Sequence, residues 1–427
     1  MSVILSIIIP VFNTEEYLKN CIDSLPTNNN EIEIIIIDDA SYKKITKKIL
    51  YSQKKNKKIK IIKNKKNIGV GNSRNKGIKK AIGKYLLFLD SDDKIERSNL
   101  SSLISYLKII NKDLIYCRFK KKTFPNDNIT ILRKLRKYNK ISHFKNAIIK
   151  SEFMGDDCWP FIVKREFILK NNILFPKNIR VAEDEYFNAK LFLNINSFGV
   201  FDKNFYIHNE REGSLSSDLS SFNNNVDFIK LFYLFIALLS SSKLKKNDKQ
   251  IIFRYLRILY SRIMFLMLIR STKEKKMICK EIILNNSKKY KKILIINNLF
   301  YLSDILNITN FTMFAKIEKN FSKKIIYKTK YYDNVFIYCR TLIAKGLNKI
   351  ISSNKKKVIC FIDDANLKEK KFEKKKVIKF KDFLRIIKKY QNNYIVFIAN
   401  NRTSTYKKIK NKLITNKILS SKVKQIF

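Results

Sequence analysis

At 427 residues the chain is long enough for two or three domains, each with its own buried core. Lysine and arginine total 89 against 36 aspartates and glutamates, a formal net charge of +53, which raises nucleic acid or an anionic membrane surface as a partner. The basic residues are spread from end to end without a stripe of interleaved aromatics, which argues against a sequence-reading nucleic-acid module and leaves a weak attraction to acidic lipid headgroups open. With only 8 glycines and 5 prolines, and Lys, Ile and Asn overused throughout, much of the excess also reads as compositional bias at solvated positions. Cys21, Cys117, Cys158, Cys279, Cys339 and Cys360 have neither metal-knuckle nor redox spacing and are expected to be reduced, mostly buried thiols.

The N-terminal run from Met1 to Pro10 is apolar but lacks a basic leader and a small-residue cleavage site, so it is expected to be a buried strand. Short β-branched runs at 3–9, 32–37, 59–62, 85–89 and 113–116 predict strands. Helical periodicity fills the intervals at 15–25, 43–51, 71–82 and 100–110. This alternation predicts an open α/β domain with a mainly parallel sheet over 1–222. Ligands of such sheets sit beyond the carboxyl ends of the strands, so the residues just past each strand are the candidates for chemistry.

Those segments are Pro10-Val11-Phe12-Asn13-Thr14-Glu15, Asp38-Asp39-Ala40-Ser41, Asn67-Ile68-Gly69 and Asp90-Ser91-Asp92-Asp93, with Arg74 and Asn75 near the start of the third helix. Three carboxylates within four residues repel one another unless a hard cation, and the phosphate it carries, neutralises them. An acidic loop opening the next helix would look the same from sequence, and Asp93 is read as such a cap.

In register these segments resemble glycosyltransferase family 2: Ile9-Pro10-Val11-Phe12-Asn13, Ile37-Asp38-Asp39-Ala40-Ser41, Asn67-Ile68-Gly69, Ser73-Arg74-Asn75-Lys76-Gly77 and Phe88-Leu89-Asp90-Ser91-Asp92-Asp93 keep the order of the family's motifs, with Ser73 where alanine is usual. The resemblance implies a GT-A-type mixed, mostly parallel sheet flanked by helices. It further implies an inverting enzyme that moves a sugar from a nucleotide-diphosphate donor, a uridine one by preference, to a glycan acceptor in surface polysaccharide or lipooligosaccharide assembly. By that resemblance Asp39 meets the nucleotide base, and Pro10, Phe12, Asn13, Glu15, Asn67, Arg74, Asp90 and Ser91 complete the donor site. Mn2+ or Mg2+ is expected on Asp92 and Asp90, with His208 as a further ligand. Val181-Ala182-Glu183-Asp184-Glu185 opens a helical segment and resembles the family's Glu-Asp motif, which makes Asp184 the base and places Glu183 beside the acceptor.

Trp159, the single tryptophan, is read either as an acceptor-framing ring or as a core residue, and the 206–216 segment as one that closes the domain, with His208 or Arg211 reaching toward the diphosphate. From 223 to 330 the chain becomes helical in period, with apolar stretches at 228–239 and 251–268 that suit a hairpin packed on protein or on lipid. These stretches are shorter than a membrane span or are interrupted by Arg262, so a cytoplasmic location is expected, with the inner face of the plasma membrane as a resting place. Residues 331–427 resemble a small Rossmann-like α/β domain, yet the turn after Tyr338 lacks the glycine fingerprint that admits a pyrophosphate. A degenerate domain used for docking or stability is the consequence. The competing reading for the whole chain is a catalytically inactive nucleotide-binding or scaffold protein of GT-A shape; a basic nucleic-acid binder is the third.

Overall fold

The computed structural model describes residues 2–123, 128–131, 140–149, 157–209, 222–241, 244–285, 311–329, 331–338, 342–354, 356–363, 371–390, 393–399, 403–416 and 420–425, with positions 290, 305, 308 and 418. The chain divides into two compact units, residues 1–149 with 153–218, and residues 219–427 with 150–152.

In the first unit, β1 (Leu5–Val11) and β2 (Ile32–Asp38) are almost wholly buried runs of isoleucine and valine, as strands covered on both faces must be. They pair in parallel with each other, and β3 (Ile59–Lys63) and β4 (Tyr85–Phe88) extend the same parallel block on either side. Beyond β4 the sheet continues through β8 (Phe161–Lys164), β6 (Leu114–Thr123) and β9 (Phe198–Asn209) to β5 (Lys94–Ile95), giving the order β3-β2-β1-β4-β8-β6-β9-β5 with β7 (Asn128–Ile131) paired to β6. β8 runs antiparallel to both its neighbours, and β6 and β9 are parallel to each other. The carboxyl ends of β1, β2, β3, β4 and β9 therefore share one edge. The expected strands and helices of the parallel block are found with boundaries within a few residues, β6 continues to Thr123 where a strand ending at Tyr116 was expected, and the structure adds β5, β7 and the long β9, whose short apolar runs are split by Asp202, Lys203 and Asn204.

Helices α1 (Glu15–Asp23), α2 (Lys44–Ser52) and α3 (Val70–Lys80) come after β1, β2 and β3 in turn, the crossover pattern that a parallel block requires. Further along the same unit lie α4 (Leu100–Ile109), α5 (Ile141–Ile149) and the short α6 (Arg165–Lys170). The position of α3 depends on Gly77. A Cβ built there would lie 2.3 Å from Ile8 Cγ2 on β1, so only glycine lets the helix axis come this close to the sheet. We expect Gly77→Ala to lower stability by about 2 kcal/mol through overpacking. An unchanged urea midpoint would show that α3 can move off Ile8 without cost.

The second unit opens with two long helices, Phe222–Leu238 and Lys246–Ile269, that pack against each other; Phe235 and Tyr255 stack between them at 5.0 Å. The longer of the two also packs on helix Leu342–Ser353. A six-stranded sheet completes the unit, in the order β12 (Lys371–Phe372), β13 (Lys375–Ile378), β11 (Lys357–Ile362), β10 (Asn334–Tyr338), β14 (Tyr394–Ile398) and β15 (Val423–Gln425). All neighbours but β12 and β13 are parallel. Taken in chain order the parallel strands lie 3-2-1-4-5, the winding of a doubly wound Rossmann-type sheet without its sixth strand. Cys339, Arg340 and Thr341, which begin the turn after β10, lie outside the described residues, as does Asp364. Among the described residues no helix is long and apolar enough to cross a membrane.

Candidate active site

The loops at the shared edge of the first sheet are tied together by polar side chains. Asp39, buried just past β2, accepts at Oδ1 from Asn64 Nδ2 (2.8 Å) and from the Ile68 amide (2.9 Å), and at Oδ2 from the Gly69 amide (2.9 Å). The carboxylate thereby fixes the loop that carries Asn67, itself exposed, and one lone pair of Oδ2 is left over from this set. Asn13 accepts from the amides of Tyr42 and Lys43 at 3.0 and 3.1 Å and donates its own amide to Ser41 Oγ. It joins the loop after β1 to the loop after β2. Ser91 shares a 2.7 Å hydrogen bond with Thr14, which ties the first loop to the fourth.

Asn13, Glu15, Ala40 and Ala182 all have positive φ, and so does Gly69 at +88°. Four non-glycine residues in this sparsely populated region at one edge are strain held by the surrounding bonds, as happens at ligand sites. Removing the acceptor that holds the third loop should be costly. Asp39→Ala leaves Asn64 and two backbone amides without it, and we expect about 3 kcal/mol of lost stability; a parent-like urea midpoint would mean that the loop holds itself.

Pro10 is buried within β1 opposite Ile37. Phe12 is 43 % exposed and meets Tyr42 edge to face, with centroids 5.9 Å apart, so an aromatic pair stands open at the mouth. Glu15 pairs with Lys43 at 2.9 Å on the surface beside it.

Arg74 is the hub of the site. Its guanidinium is buried on α3 and reaches Asp90 Oδ1 at 2.6 Å, Glu183 Oε1 at 2.7 Å and Asp184 Oδ1 at 3.6 Å. The pairings join the turn after β4 to the start of α7 (Glu183–Asn194), across more than a hundred residues of sequence. Beneath it Phe175 and Phe187 stack at 3.9 Å, Phe88 meets both edge to face, and the guanidinium lies 5.2 Å above the Phe175 ring. Asn75 clamps Phe175 through paired hydrogen bonds to its backbone N–H and C=O, each 2.9 Å. Gly71 leaves room on the same side, since a Cβ there would lie 3.1 Å from Glu183 Cγ and from Phe175 Cβ.

Three carboxylates face one guanidinium, so the acids outnumber the base. Burial first, then the charge of Asp184, holds the Glu183 carboxyl well above the ordinary range, and burial likewise raises Asp90 against the pull of Arg74. The expectation that Glu183 stands beside an acceptor is corrected by its surroundings: it is 4 % exposed and locked to Arg74. The Asp184 side chain is 17 % exposed, and its Oδ2 accepts from the Cys158 amide at 3.4 Å. Of the pair it is Asp184 that reaches solvent. Arg74, expected near a pyrophosphate, braces the acids.

The Asp90 to Asp93 turn is stitched to the end of β9. Asp93 accepts from Tyr206 Oη (2.6 Å) and the Asn209 amide (2.7 Å), and meets His208 Nδ1 at 3.2 Å; Asn209 Nδ2 donates to the Asp92 carbonyl at 2.8 Å. Asp93 is thus an anchor for β9 and not the helix cap expected from sequence. Burial pushes its carboxyl up to about 6, offset by the bond to His208. With Nδ1 turned to this carboxylate, His208 has the second-partner arrangement common to metal-binding imidazoles. Carboxylates such as those of Asp90 and Asp92 are the hard oxygen donors that Mn2+ and Mg2+ prefer, and the His208 imidazole is a softer nitrogen donor. Among the described residues no group of three or more His, Cys, Asp or Glu is arranged to hold a metal ion.

Trp159 is 3 % exposed, with Tyr206 and His208 stacked on it at 4.7 and 5.0 Å and Phe119 against it edge on. It supports the histidine from within the core and offers no face to an acceptor sugar. Arg211 and the 210–216 segment lie outside the described residues. Phe175 was not foreseen, since a phenylalanine in a loop has nothing local to distinguish it. Thr14 and Asn75 lie in the candidate segments, and Tyr206 and Asn209 in the segment expected to close the domain, but none had been given a role of its own.

A mainly parallel α/β sheet with acidic turns gathered beyond its carboxyl edge defines the GT-A class. Residues 6–171 match the profile of Glycosyl transferase family 2. Over that stretch, which is the greater part of the first unit, the chain is similar to this family. It is 30 % identical over 219 residues to the uncharacterized glycosyltransferase EpsJ of Bacillus subtilis, covering 50 % of this chain and 63 % of that one. It is 31 % identical over 228 residues to the cholesterol galactosyltransferase of Borreliella burgdorferi, covering 50 % and 62 %. The chain therefore spans less than two thirds of the length of these relatives. The fold is similar to that of Staphylococcus aureus TarS 1–349, solved in complex with UDP-GlcNAc, with a TM-score of 0.54 at 20 % identity over 75 % of this chain and 92 % of that one.

Proposed function

We propose that the chain transfers a sugar from a nucleotide-diphosphate donor to a glycan acceptor with inversion at the anomeric carbon, in the assembly of a surface polysaccharide or lipooligosaccharide. The observation that carries this reading is the meeting, through Arg74, of the Asp90 turn with the Glu183-Asp184 helix start. An inverting transfer needs a leaving-group site and a base on either side of one sugar ring, and these two acidic elements supply both. A uridine diphosphate sugar is the donor class we assign. The TarS complex with UDP-GlcNAc supports it, as does the remaining Asp39 acceptor position, which suits the N–H of a uracil-type base. Phe12 and Tyr42 would flank that base.

Asp92, Asp90 and His208 would hold Mn2+ or Mg2+ at the diphosphate. Once bound, the ion supplies Lewis-acid stabilisation of the charge that grows on the departing nucleotide. Asp184 takes the proton from the acceptor hydroxyl, and Arg74 and Glu183 hold that carboxylate in place. The turn from Asp90 to Asp93, fastened by Tyr206 and Asn209, keeps the donor end rigid while the acceptor enters. The reading is tested by incubating the full chain with a panel of UDP, GDP and other nucleotide sugars, with Mn2+ and with EDTA, and following release of the nucleoside diphosphate. Turnover of one donor in Mn2+ supports it, and a chain that binds a donor but turns over none under either condition would return the scaffold reading.

A further inference from the structure

Helix Thr272–Asn285 in the second unit buries Ile278, Cys279 and Ile282 and turns a different set of residues outward. Its outer face carries Lys273, Lys276, Met277, Lys280, Ile283 and Leu284. At about 100° per residue these six fall within an arc of about 120° opposite the buried three. Met277 is 48 %, Ile283 40 % and Leu284 69 % exposed. A surface helix in water has little reason to present three large apolar side chains among lysines. Glu274 and Glu281 sit to one flank of the stripe, and Glu274 is tied back to Ser271 and Arg270. The adjoining helix, Phe311–Lys328, also exposes Lys316, Lys319, Lys323 and Lys324.

We propose that this outer face docks on an anionic lipid surface, lying in the plane of the interface with Met277, Ile283 and Leu284 in the acyl boundary and the lysines at the headgroup phosphates. At 14 residues the helix is far too short to span the hydrocarbon, whereas alternating lysines and apolar groups on one face are what in-plane binding needs. Charge complementarity selects the partner: a chain of net charge +53 is drawn to acidic headgroups, and the apolar residues fix which face arrives. The proposal does not depend on the transfer reaction, and binding can be read without turnover.

The test is co-sedimentation of the full chain with vesicles of phosphatidylcholine alone and with added phosphatidylserine. Lys273→Gln/Lys276→Gln/Lys280→Gln is expected to weaken partition onto the acidic vesicles by on the order of 100-fold. The apolar variant Met277→Gln/Leu284→Gln is expected to weaken it by about 10-fold and to abolish whatever binding survives high salt. A control, Lys44→Gln/Lys47→Gln/Lys48→Gln on the exposed side of α2, removes the same charge elsewhere and is expected to have little effect. Melting curves establish that each variant folds. Equal losses in the control and the stripe variant would overturn the proposal in favour of diffuse attraction, and so would full binding by the apolar variant. Displacement of the parent from vesicles by RNA, with the stripe variant losing RNA affinity in parallel, would assign the face to nucleic acid instead.

Discussion

Replacing Asp92 by alanine is expected to lower metal-dependent donor turnover by on the order of 10³-fold, the scale on which a lost transition-state charge clamp is felt. A hydrogen bond that fastens this turn is made by the Asp92 backbone carbonyl, which accepts from Asn209 and is retained by alanine. A melting curve establishes that the variant folds. EDTA should reproduce the loss in the parent, and added Mn2+ should reverse it in the parent but not in the variant. A variant that keeps the parent's Mn2+ dependence would move the ion away from this turn; a parent indifferent to EDTA would remove the ion from the reaction.

The second large effect is expected at Asp184. Asparagine keeps its shape and can still accept from the Cys158 amide, but it cannot take a proton from an acceptor hydroxyl. Transfer should fall by roughly 10²- to 10⁴-fold, the usual contribution of a positioned base. Donor affinity, measured by calorimetry in the presence of Mn2+, should stay within about twofold because the lost function concerns the acceptor side only. This split between binding and transfer separates a base from a group that merely shapes the site. Undiminished transfer would place the base elsewhere, and a matching loss of donor affinity would recast Asp184 as part of the donor pocket.

Much of the parallel block was legible from the chain. Runs such as Ile34 to Ile37 are hydrophobic on every residue because a doubly covered strand must be, and the acidic and glycine-containing turns after them mark where backbone leaves the core. The same logic singled out Asp39, Asp90 and Asp92 as candidates, whereas Asp184 was named from the resemblance of its segment to a family motif. Other features had no local signal. β9 has two short apolar runs split by Asp202, Lys203 and Asn204, a pattern that does not announce one long strand, yet it brings His208 to the acidic turn. Trp159 was evenly poised between packing and recognition until its neighbours on β9 were known. Arg74 looked like a cation for a phosphate, and only the approach of α7 shows it engaged by carboxylates from two elements.

What the sequence by itself determined was the order of elements in the parallel block and the clustering of acidic residues just past its strands, since hydrophobic period and charge clustering are properties of neighbouring residues. The tertiary structure alone decided which acids meet, which are buried and which reach solvent. Ionisation and reach depend on groups brought from more than a hundred residues away, and no local pattern encodes their distance.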